Sequence, residues 1–414
     1  MSSLAPHSAA VPQSCDLAIV GGGIVGLAVA RDLLMRNPRA SLCVLERESD
    51  VATHQTGHSS GVIHAGIYYR PGSLKARLCV QGARELFDYC DQRGIASEAC
   101  GKVILATDAS ELHHLEELER RGKANGVSGL RQIDAARVAE IEPHARAIAA
   151  LHSPHTGICD FPAVARSFAQ DVREAGGTIA TNCEVKDVEV RTRSLRLVHA
   201  RGTLQAGHAI FCAGAWADRL AVAAGAGPDP RIVPFRGAYL RLVPGRRHLV
   251  RSLIYPVPDP SLPFLGVHLT RHIDGDVLIG PSALIAGARD AYRLASVRRA
   301  DAIETLTWPG TWRMFGRLWP AGVTELRRAL QRSALVGAAA RYVPELSPQD
   351  VETSFSGVRA QALGRDGRLI DDFAFSVTER ALHVRNAPSP AATASLAIAR
   401  HVTDLAQPLF GLDH

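Results

Sequence analysis

The first fifty residues show two short apolar runs separated by an amphipathic stretch. Residues 15–20 (CDLAIV) and residues 41–46 (SLCVLE) form the two runs. Between them, residues 27–36 (LAVARDLLMR) place apolar side chains at helical spacing, directly after a glycine-rich stretch. Short apolar runs are typical of buried strands, and the intervening period is typical of a helix that packs on them. The pattern predicts a strand, a glycine turn, a helix and a strand, which together make a βαβ unit.

The glycines of this turn have the spacing of a dinucleotide-binding fingerprint. Gly21 permits the tight turn, Gly23 lets the backbone approach a pyrophosphate, and Gly26 lets the helix pack on the strand. The helix N-terminus then presents free N–H groups and a positive dipole end to the phosphates. Glu46 ends the second strand twenty residues after Gly26, where a carboxylate suits a ribose diol. These features predict a dinucleotide site but do not decide between FAD and NAD.

Two later segments favour FAD. Residues 209–220 (AIFCAGAWADRL) run from an apolar strand through the small residues Ala213 and Gly214 into a helix, so this turn can pass close to a cofactor. Residues 382–402 predict a strand, a proline-rich turn and a helix with Ser389 as N-cap and Pro390 as its first residue. Such a helix would aim its dipole at the flavin pyrimidine oxygen, although an ordinary packing helix has the same pattern.

The loop of residues 53–69 contains three histidines, but we do not predict a metal site there. His54 and His58 have a spacing that suits a helix face, yet Gly57 makes a helix unlikely, and no neighbouring carboxylate or cysteine completes a ligand set with His64. The loop follows the second strand of the βαβ unit. We therefore expect its glycines to allow close approach of the backbone to the cofactor.

Composition narrows the partners. The 414 residues carry a formal net charge of +6, and only four of the 47 basic residues are lysine. Without a basic run or many aromatic residues the chain does not resemble a nucleic-acid-binding protein, so an anionic substrate or an acidic membrane surface fits the charge better. The segment MSSLAPHSAAVPQSC lacks the features of a signal peptide, and we expect a frayed tail. None of the eight scattered cysteines forms a CxxC pair, which argues against a zinc knuckle and a disulfide framework.

Three of the four tryptophans fall between residues 308 and 319. Residues 308–343 mix them with arginines and with apolar residues at helical spacing. This composition fits a helical pair on a membrane surface, with aromatic rings in the interface and arginines near anionic headgroups. It fits equally well an insertion that packs on its own domain, and the sequence does not separate the two interpretations.

These pieces, in this order, resemble the D-amino-acid oxidase-like flavoprotein superfamily. Three stretches are similar to the L-2-hydroxyglutarate dehydrogenase/oxidase family: residues 53–90, residues 253–286, and residues 357–375 together with 385–398. The resemblance runs from about residue 15 to 402. The chain departs from the family pattern at Ala238, where an acid is usual, and at Ser282, where Asn is more frequent.

The resemblance implies an FAD enzyme that oxidises L-2-hydroxyglutarate to 2-oxoglutarate. Its partners would be a small dicarboxylate and an electron acceptor, which in relatives is a quinone, an electron-transfer chain or oxygen. We expect the FAD to be held without a covalent bond. The predicted location is the cytoplasm, with peripheral association at the inner face of the membrane as an open possibility.

The reaction requires a carboxylate clamp and a base for the hydroxyl proton. Histidine suits the base because its pKa lies near working pH, and arginine suits the clamp because its fork binds carboxylate bidentately. Our catalytic candidates are His64 first, then His268, Arg271 and Arg359. The substrate-binding candidates are Arg236, with Lys75, Tyr239 and Tyr68 behind it. The predicted cofactor contacts are Gly21, Gly23, Ile24, Gly26, Glu46, Arg47, Thr56, Ser59, Ser60, Gly61, Val185, Ala213, Gly214, Gly357, Asn386, Pro388, Ser389 and Pro390.

The predicted fold class is α/β, or α+β with two domains. It comprises a discontinuous Rossmann-like FAD-binding domain and a substrate domain built mainly from an antiparallel sheet. The FAD-binding domain takes residues 15–90, 145–225 and 350–402, and the substrate domain takes 91–144 and 226–349, with a helical Trp/Arg-rich insertion at 292–345. Two other functions remain open: an amine or amino-acid oxidase of the same superfamily, and a non-catalytic FAD-binding module. The second is less favoured because a pure binder does not need these arginines and histidines.

Overall fold

The computed structural model describes residues 9–260 and 265–412. The start of the N-terminal segment predicted to fray, residues 1–8, lies outside the described residues. Residues 261–264, within the second stretch that carries the family resemblance, lie outside them as well.

Strands and helices are numbered along the chain. The first ten strands are β1 (Ser14–Val20), β2 (Leu42–Leu45), β3 (Val62–Ile63), β4 (Ser97–Glu98), β5 (Lys102–Ala106), β6 (Arg131–Asp134), β7 (Ala149–Ser153), β8 (Gly157–Cys159), β9 (Thr178–Ala180) and β10 (Val185–Val190). The others are β11 (Leu195–His199), β12 (Gly202–Phe211), β13 (Arg231–Leu242), β14 (Leu253–Pro256), β15 (His268–Arg271), β16 (Val277–Gly280), β17 (Leu284–Ile285), β18 (Val351–Leu363), β19 (Ala374–Thr378) and β20 (Ala381–Asn386). The α-helices are α1 (Ile24–Arg36), α2 (Leu74–Arg93), α3 (Leu112–Ala124), α4 (Ala135–Ile141), α5 (Phe161–Glu174), α6 (Ala217–Ala223), α7 (Arg299–Thr307), α8 (Pro309–Leu330), α9 (Arg332–Ala340) and α10 (Ser395–Phe410).

The first sheet contains the predicted βαβ unit. Its order is β10-β11-β12-β1-β2-β9, with β20 pairing β12 and β19 pairing β20. Strand β1 pairs in parallel with both β2 and β12, as a right-handed crossover through a helix requires. Helices α1, α5 and α10 supply apolar side chains to one core together with this sheet. The Rossmann-like part of the predicted fold is confirmed.

The second sheet is mainly antiparallel, as predicted. Its order is β17-β13-β16-β15-β14-β5-β7-β6, β18 pairs β13, and only the β5–β14 pair among these described strands is parallel. Strands β7 and β18 belong to this sheet, although they fall in stretches that we predicted for the FAD-binding domain. The chain therefore leaves the second sheet later than the boundaries at 145 and 350 imply. Alternation of apolar and polar residues predicts a strand but does not show which strand it pairs with. The domain boundaries therefore could not be predicted from the sequence pattern.

The predicted helical insertion consists of α7, α8 and α9. Leu335 and Val336 of α9 are buried in the core of the second sheet, whereas Trp308 and Met314, at the start of α8, pack on Val233. Much of α8 beyond this point is exposed. Among the described residues, no helix is both long enough and apolar enough to cross a bilayer.

The predicted start of the last helix is wrong. Helix α10 begins at Ser395 and its N-cap is Ala394, so Ser389 and Pro390 precede the helix by several residues. The intervening chain forms turns in which Ala391 N donates to Pro388 O and Ala394 N donates to Pro390 O. These hydrogen bonds within the turns satisfy backbone groups before the helix starts. A proline-rich segment is compatible with such turns as well as with the start of a helix.

Candidate active site

A cavity of about 1000 Å³ is lined by loops of the first sheet and by strands of the second. All of the predicted cofactor contacts lie on its wall. So do His64, His268 and Arg359 among the catalytic candidates, and Tyr68, Lys75 and Tyr239 among the substrate-binding candidates. The cavity therefore joins the glycine turn of the βαβ unit to a group of cationic and aromatic side chains from the second sheet.

The glycine turn fits a dinucleotide. A Cβ on Gly26 would lie 2.0 Å from Gly21 O, and one on Gly21, whose φ is +113°, would lie 2.4 Å from Cys212 O. These two glycines are required by the close packing of the chain on itself. At Gly23 the nearest atom to such a Cβ would be Thr56 Oγ1 at 3.6 Å, so the cavity side of the turn stays open to a ligand.

Glu46 is held with its carboxylate at the cavity wall. Its side chain is buried, Gly22 N donates to Oε2 at 2.6 Å, and Glu48 N donates to Oε1 at 2.9 Å. Burial raises the pKa of Glu46, and the two backbone N–H groups act in the opposite direction. The carboxylate is thus fixed at the end of β2, where an acceptor for a ribose diol is expected. With the open turn at Gly23, this arrangement fits the adenosine half of FAD.

The histidine loop has a different internal order from the one we expected. Gly57 does not line the cavity, and a Cβ there would lie 2.7 Å from Ala52 O, so its close approach is to the chain itself. His54 Nε2 lies 2.8 Å from Glu48 Oε1, and the His58 ring stacks on Tyr292 with centroids 3.9 Å apart. Tyr292 comes from the insertion, so its contact with the loop was not evident from sequence.

Arg359 and Tyr239 form a pair at the end of the cavity that the second sheet lines, which we call the substrate end because a substrate is expected there. The Arg359 guanidinium donates to the Tyr239 hydroxyl, which is also hydrogen-bonded to Ser60. Arg359 stands on β18 and Tyr239 on β13, the two strands with the longest paired register in the second sheet. Both side chains line the cavity. A carboxylate at this position would meet a cation whose orientation is already fixed.

Two histidines line the same end of the cavity. His268 Nδ1 lies 2.8 Å from Gly266 O, and its ring stacks on Tyr255 with centroids 4.0 Å apart. Burial lowers the pKa of His268 to about 3, and the charges of Arg359 and Lys102 add to that effect. Burial and the same two cations also lower the pKa of His64, whose Nε2 lies 3.4 Å from Ser389 Oγ. Both imidazoles are therefore neutral at physiological pH, and each keeps a nitrogen lone pair, although the lowered pKa makes it a weaker proton acceptor than a free imidazole.

Arg271 and Arg236 do not line the cavity, so the geometry gives no support to their predicted roles in clamping the substrate. Arg271 makes a bidentate ion pair with Glu98 at 2.8 and 2.9 Å. It stands three positions after His268 on β15, and alternation along a strand puts the two side chains on opposite faces. Arg236 likewise points away from the face that carries Gly237 and Tyr239 on β13.

Lys102 and Tyr255 were missed in the sequence. Lys102 opens β5 and is only 1 % exposed, and its Nζ lies 4.0 Å from the centroid of the Tyr255 ring. Tyr255 lines the cavity. The available signal was a single charged residue at the head of the apolar run KVILA, which is unusual for a strand buried along its whole length.

Comparisons with known proteins agree with this geometry. The FAD dependent oxidoreductase family matches residues 16–405. The L-2-hydroxyglutarate dehydrogenase of Nematostella vectensis is 47% identical over 96% of this chain and 91% of its own length. The Homo sapiens enzyme of that name is 46% identical over 97% and 90%, and the one from Indibacter alkaliphilus is 41% identical over 94% and 98%.

Solved structures show the same fold at lower identity. L-alpha-glycerophosphate oxidase from Mycoplasma pneumoniae with FAD bound superposes with a TM-score of 0.78 at 22% identity, covering 95% of both chains. Glycine oxidase from Geobacillus kaustophilus superposes with a TM-score of 0.71 at 20% identity, covering 96% of this chain and 95% of its own. At these identities the likeness concerns the fold alone.

Proposed function

The chain belongs to the FAD dependent oxidoreductase family, among the L-2-hydroxyglutarate dehydrogenases, and on this premise we propose that it oxidises L-2-hydroxyglutarate to 2-oxoglutarate. One observation supports the proposal most directly. A single cavity joins a dinucleotide turn to Arg359 and two neutral histidines. These are the groups that oxidation of a 2-hydroxy acid requires: a cofactor site, a carboxylate clamp and a base.

The residues around Gly23 and Glu46 hold the nucleotide half of FAD, and the turn at Pro388–Pro390 with Gly61 lies along the same cavity. When bound, FAD supplies the acceptor for the two electrons that leave the substrate. The residues of the cavity wall would hold the cofactor by packing and hydrogen bonds. We therefore propose noncovalent binding, in which case acid precipitation releases all yellow colour into the supernatant.

Arg359 binds the substrate carboxylate next to the carbinol carbon. Its guanidinium offers a planar fork, and its bond to the Tyr239 hydroxyl fixes the orientation of that fork before substrate arrives. The clamp orients the substrate and lowers the entropy that the reaction must lose. Lys75 stands nearby, but its ammonium already pairs with Asp371 Oδ1 at 2.8 Å.

His268 takes the hydroxyl proton. The Gly266 carbonyl accepts a hydrogen bond from Nδ1, so the neutral ring carries its proton there and Nε2 keeps its lone pair. Within the described residues, the ring contact of His64 is the one with Ser389 Oγ, which is long at 3.4 Å and fixes its tautomer less firmly. We therefore place His268 ahead of His64 as the base.

Flavin reduction tests the function directly. Under anaerobic conditions we expect L-2-hydroxyglutarate to bleach the flavin absorption band of the purified yellow protein, and equal concentrations of the D-enantiomer to leave it unchanged. The measurement is a stopped-flow absorbance trace. Bleaching by small amino acids alone would instead support an amine oxidase, and no bleaching by any of these acids would support a non-catalytic FAD-binding module.

A ridge of exposed apolar side chains runs along the insertion and suits a membrane surface. On α8 it comprises Trp312, Phe315, Trp319, Val323, Leu326 and Leu330, with Trp319 exposed to 65%. The spacing of these residues places them on one face of the helix. Of the arginines on this helix, Arg313 and Arg317 donate to backbone carbonyls of Arg365 and Asp366, so the apolar face itself is the feature that suits a membrane interface. We propose that this apolar ridge binds the membrane peripherally. Such binding would bring the enzyme close to a quinone or an electron-transfer chain. Oxygen, in contrast, could accept the electrons without membrane binding.

Liposome sedimentation tests the apolar ridge. The wild-type protein should pellet with anionic vesicles, and Trp312→Glu should reduce the pelleted fraction by about tenfold because a charge replaces apolar area in the interface. The control is Met35→Glu on α1, which also alters an exposed apolar side chain, at 63% exposure. Equal pelleting of Trp312→Glu and wild type would contradict membrane binding by this ridge.

A further inference from the structure

Lys102 is a buried cation without an evident structural counter-ion. Burial lowers its pKa to about 7, and the groups that oppose this effect are the thiols Cys79 and Cys100 rather than carboxylates. Among the described residues, no ion pair includes the Lys102 ammonium. A buried charge is costly unless it is paired, so such a group either has a structural partner or awaits an anionic ligand.

Tyr68 supplies a second unsatisfied group beside it. The hydroxyl oxygen of Tyr68 is buried and has no hydrogen-bond partner in the described part of the chain, and the residue lines the cavity. Lys102 Nζ lies 5.4 Å from the centroid of the Tyr68 ring and 4.0 Å from that of Tyr255. A donor without a partner and a cation without a carboxylate therefore meet at one wall of the site.

The cations at the substrate end differ in whether they are free to bind a second carboxylate. A dicarboxylate needs a second positive group beyond Arg359. Arg271 pairs with Glu98, and Lys75 is already paired with Asp371. Lys102 does not line the cavity itself, but its ammonium lies against the rings of two residues that do. Lys102 has no carboxylate partner in the described residues, whereas Arg236, which also has none, donates hydrogen bonds to Ser356 Oγ and Tyr292 O.

We propose that the Tyr68 hydroxyl, backed by the Lys102 ammonium, forms the subsite for the distal carboxylate of the substrate. Tyr68 donates the hydrogen bond, and Lys102 supplies the charge from behind the Tyr68 and Tyr255 rings. This assignment rests on the proposed function and extends it, because it names the residues that distinguish a dicarboxylate from a monocarboxylate of equal length. Lys102 is a positioning residue in this scheme, and the distal carboxylate is its counter-ion.

The protonation of Lys102 adds a pH signature. The free enzyme loses this charge as pH rises through about 7. The groups facing Lys102 are Cys79 on α2, Cys100 on its own segment, Tyr68, Tyr255 on β14, and the neutral His64 and His268. We expect kcat/KM for the dicarboxylate to fall above this pH, while kcat/KM for a monocarboxylate changes much less.

The test compares L-2-hydroxyglutarate with L-2-hydroxyvalerate, which has a methyl group in place of the distal carboxylate. In Lys102→Met we expect kcat/KM to fall about 30- to 100-fold for the dicarboxylate, mainly through KM, and less than about threefold for the monocarboxylate. Tyr68→Phe should show the same selectivity with a loss of about tenfold. Lys102→Arg, which keeps the charge, should restore part of the discrimination.

Binding without turnover separates this proposal from the proposed function. Glutarate and valerate are titrated into the holoenzyme, and perturbation of the flavin spectrum reports occupancy. Wild type should bind glutarate more tightly, and Lys102→Met should bind the two ligands equally. An equal loss for both ligands, or collapse of the discrimination in Lys75→Met instead, would overturn the assignment. Failure of the wild-type enzyme to oxidise L-2-hydroxyglutarate would reject the proposed function while leaving this binding result interpretable. If Lys102→Met does not fold, the same ligand comparison on Tyr68→Phe tests the subsite.

Discussion

Replacing Arg359 with methionine should lower kcat/KM for L-2-hydroxyglutarate by about 10²- to 10³-fold. The guanidinium is the cation that the second sheet places against the cavity with its orientation fixed by Tyr239. Methionine keeps much of the apolar stem and removes the charge and the fork. The loss should also extend to L-2-hydroxyvalerate, because both substrates share the carboxylate next to the carbinol carbon.

The matched control is Arg271→Met. Arg271 belonged to the same group of sequence candidates, but it forms an ion pair with Glu98 away from the cavity. Exposed ion pairs contribute little, so activity should stay within about threefold of wild type. Steady-state kinetics on both variants, at equal FAD content, provide the comparison. If Arg271→Met lost as much activity as Arg359→Met, the cavity described above would not be the substrate site.

The local part of the site was predictable because it is encoded in contiguous residues. Gly21, Gly23, Gly26 and Glu46 lie within one βαβ unit, whose strand and helix periods are visible in the sequence. The roles of Gly21 and Gly26 follow from the close approach of neighbouring backbone, and that of Gly23 follows from the open space beside it. The adenosine end of the cavity is therefore a consequence of short-range pattern and turn chemistry.

The substrate end depends on strand faces and strand partners, which the sequence pattern does not show. Arg236 and Arg271 have the right chemistry, but each lies an odd number of positions from a neighbour that faces the cavity. One residue of register decides between the cavity and the opposite face. Lys102 and Tyr255 meet through the parallel pairing of β5 with β14, two strands about 150 residues apart in the chain. Residue type suggested several arginines as the carboxylate clamp. Strand pairing then distinguishes Arg359, which lines the cavity, from Arg236 and Arg271, which do not.

The second sheet also explains why the candidate catalytic groups are buried. Strands β13 and β18 pair over most of their length and bring Tyr239 and Arg359 against the loop that contains His64. The cations at this end lower the histidine pKa values further than burial alone. The same charges that would attract an anionic substrate therefore keep the imidazoles neutral, and the negative charge of a bound substrate would raise their proton affinity again.

His268→Asn should lower kcat for L-2-hydroxyglutarate by about 10²- to 10³-fold while FAD remains bound. Asparagine can occupy a similar volume but cannot accept the hydroxyl proton. In wild type, burial holds the pKa of His268 at about 3, so the base stays neutral and kcat/KM should show no acid limb between about pH 5 and about pH 7. Stopped-flow flavin reduction across this range measures both quantities.

His64→Asn distinguishes the two histidines. Because no fixed acceptor orients the His64 ring, we expect this variant to lose less than about tenfold in the rate of flavin reduction. The primary deuterium isotope effect at the carbinol carbon should be larger in His268→Asn if proton and hydride transfer become separate steps. A severe loss in His64→Asn with near-normal reduction in His268→Asn would transfer the role of the base to His64, and the carbonyl of Gly266 would then only anchor a packing residue.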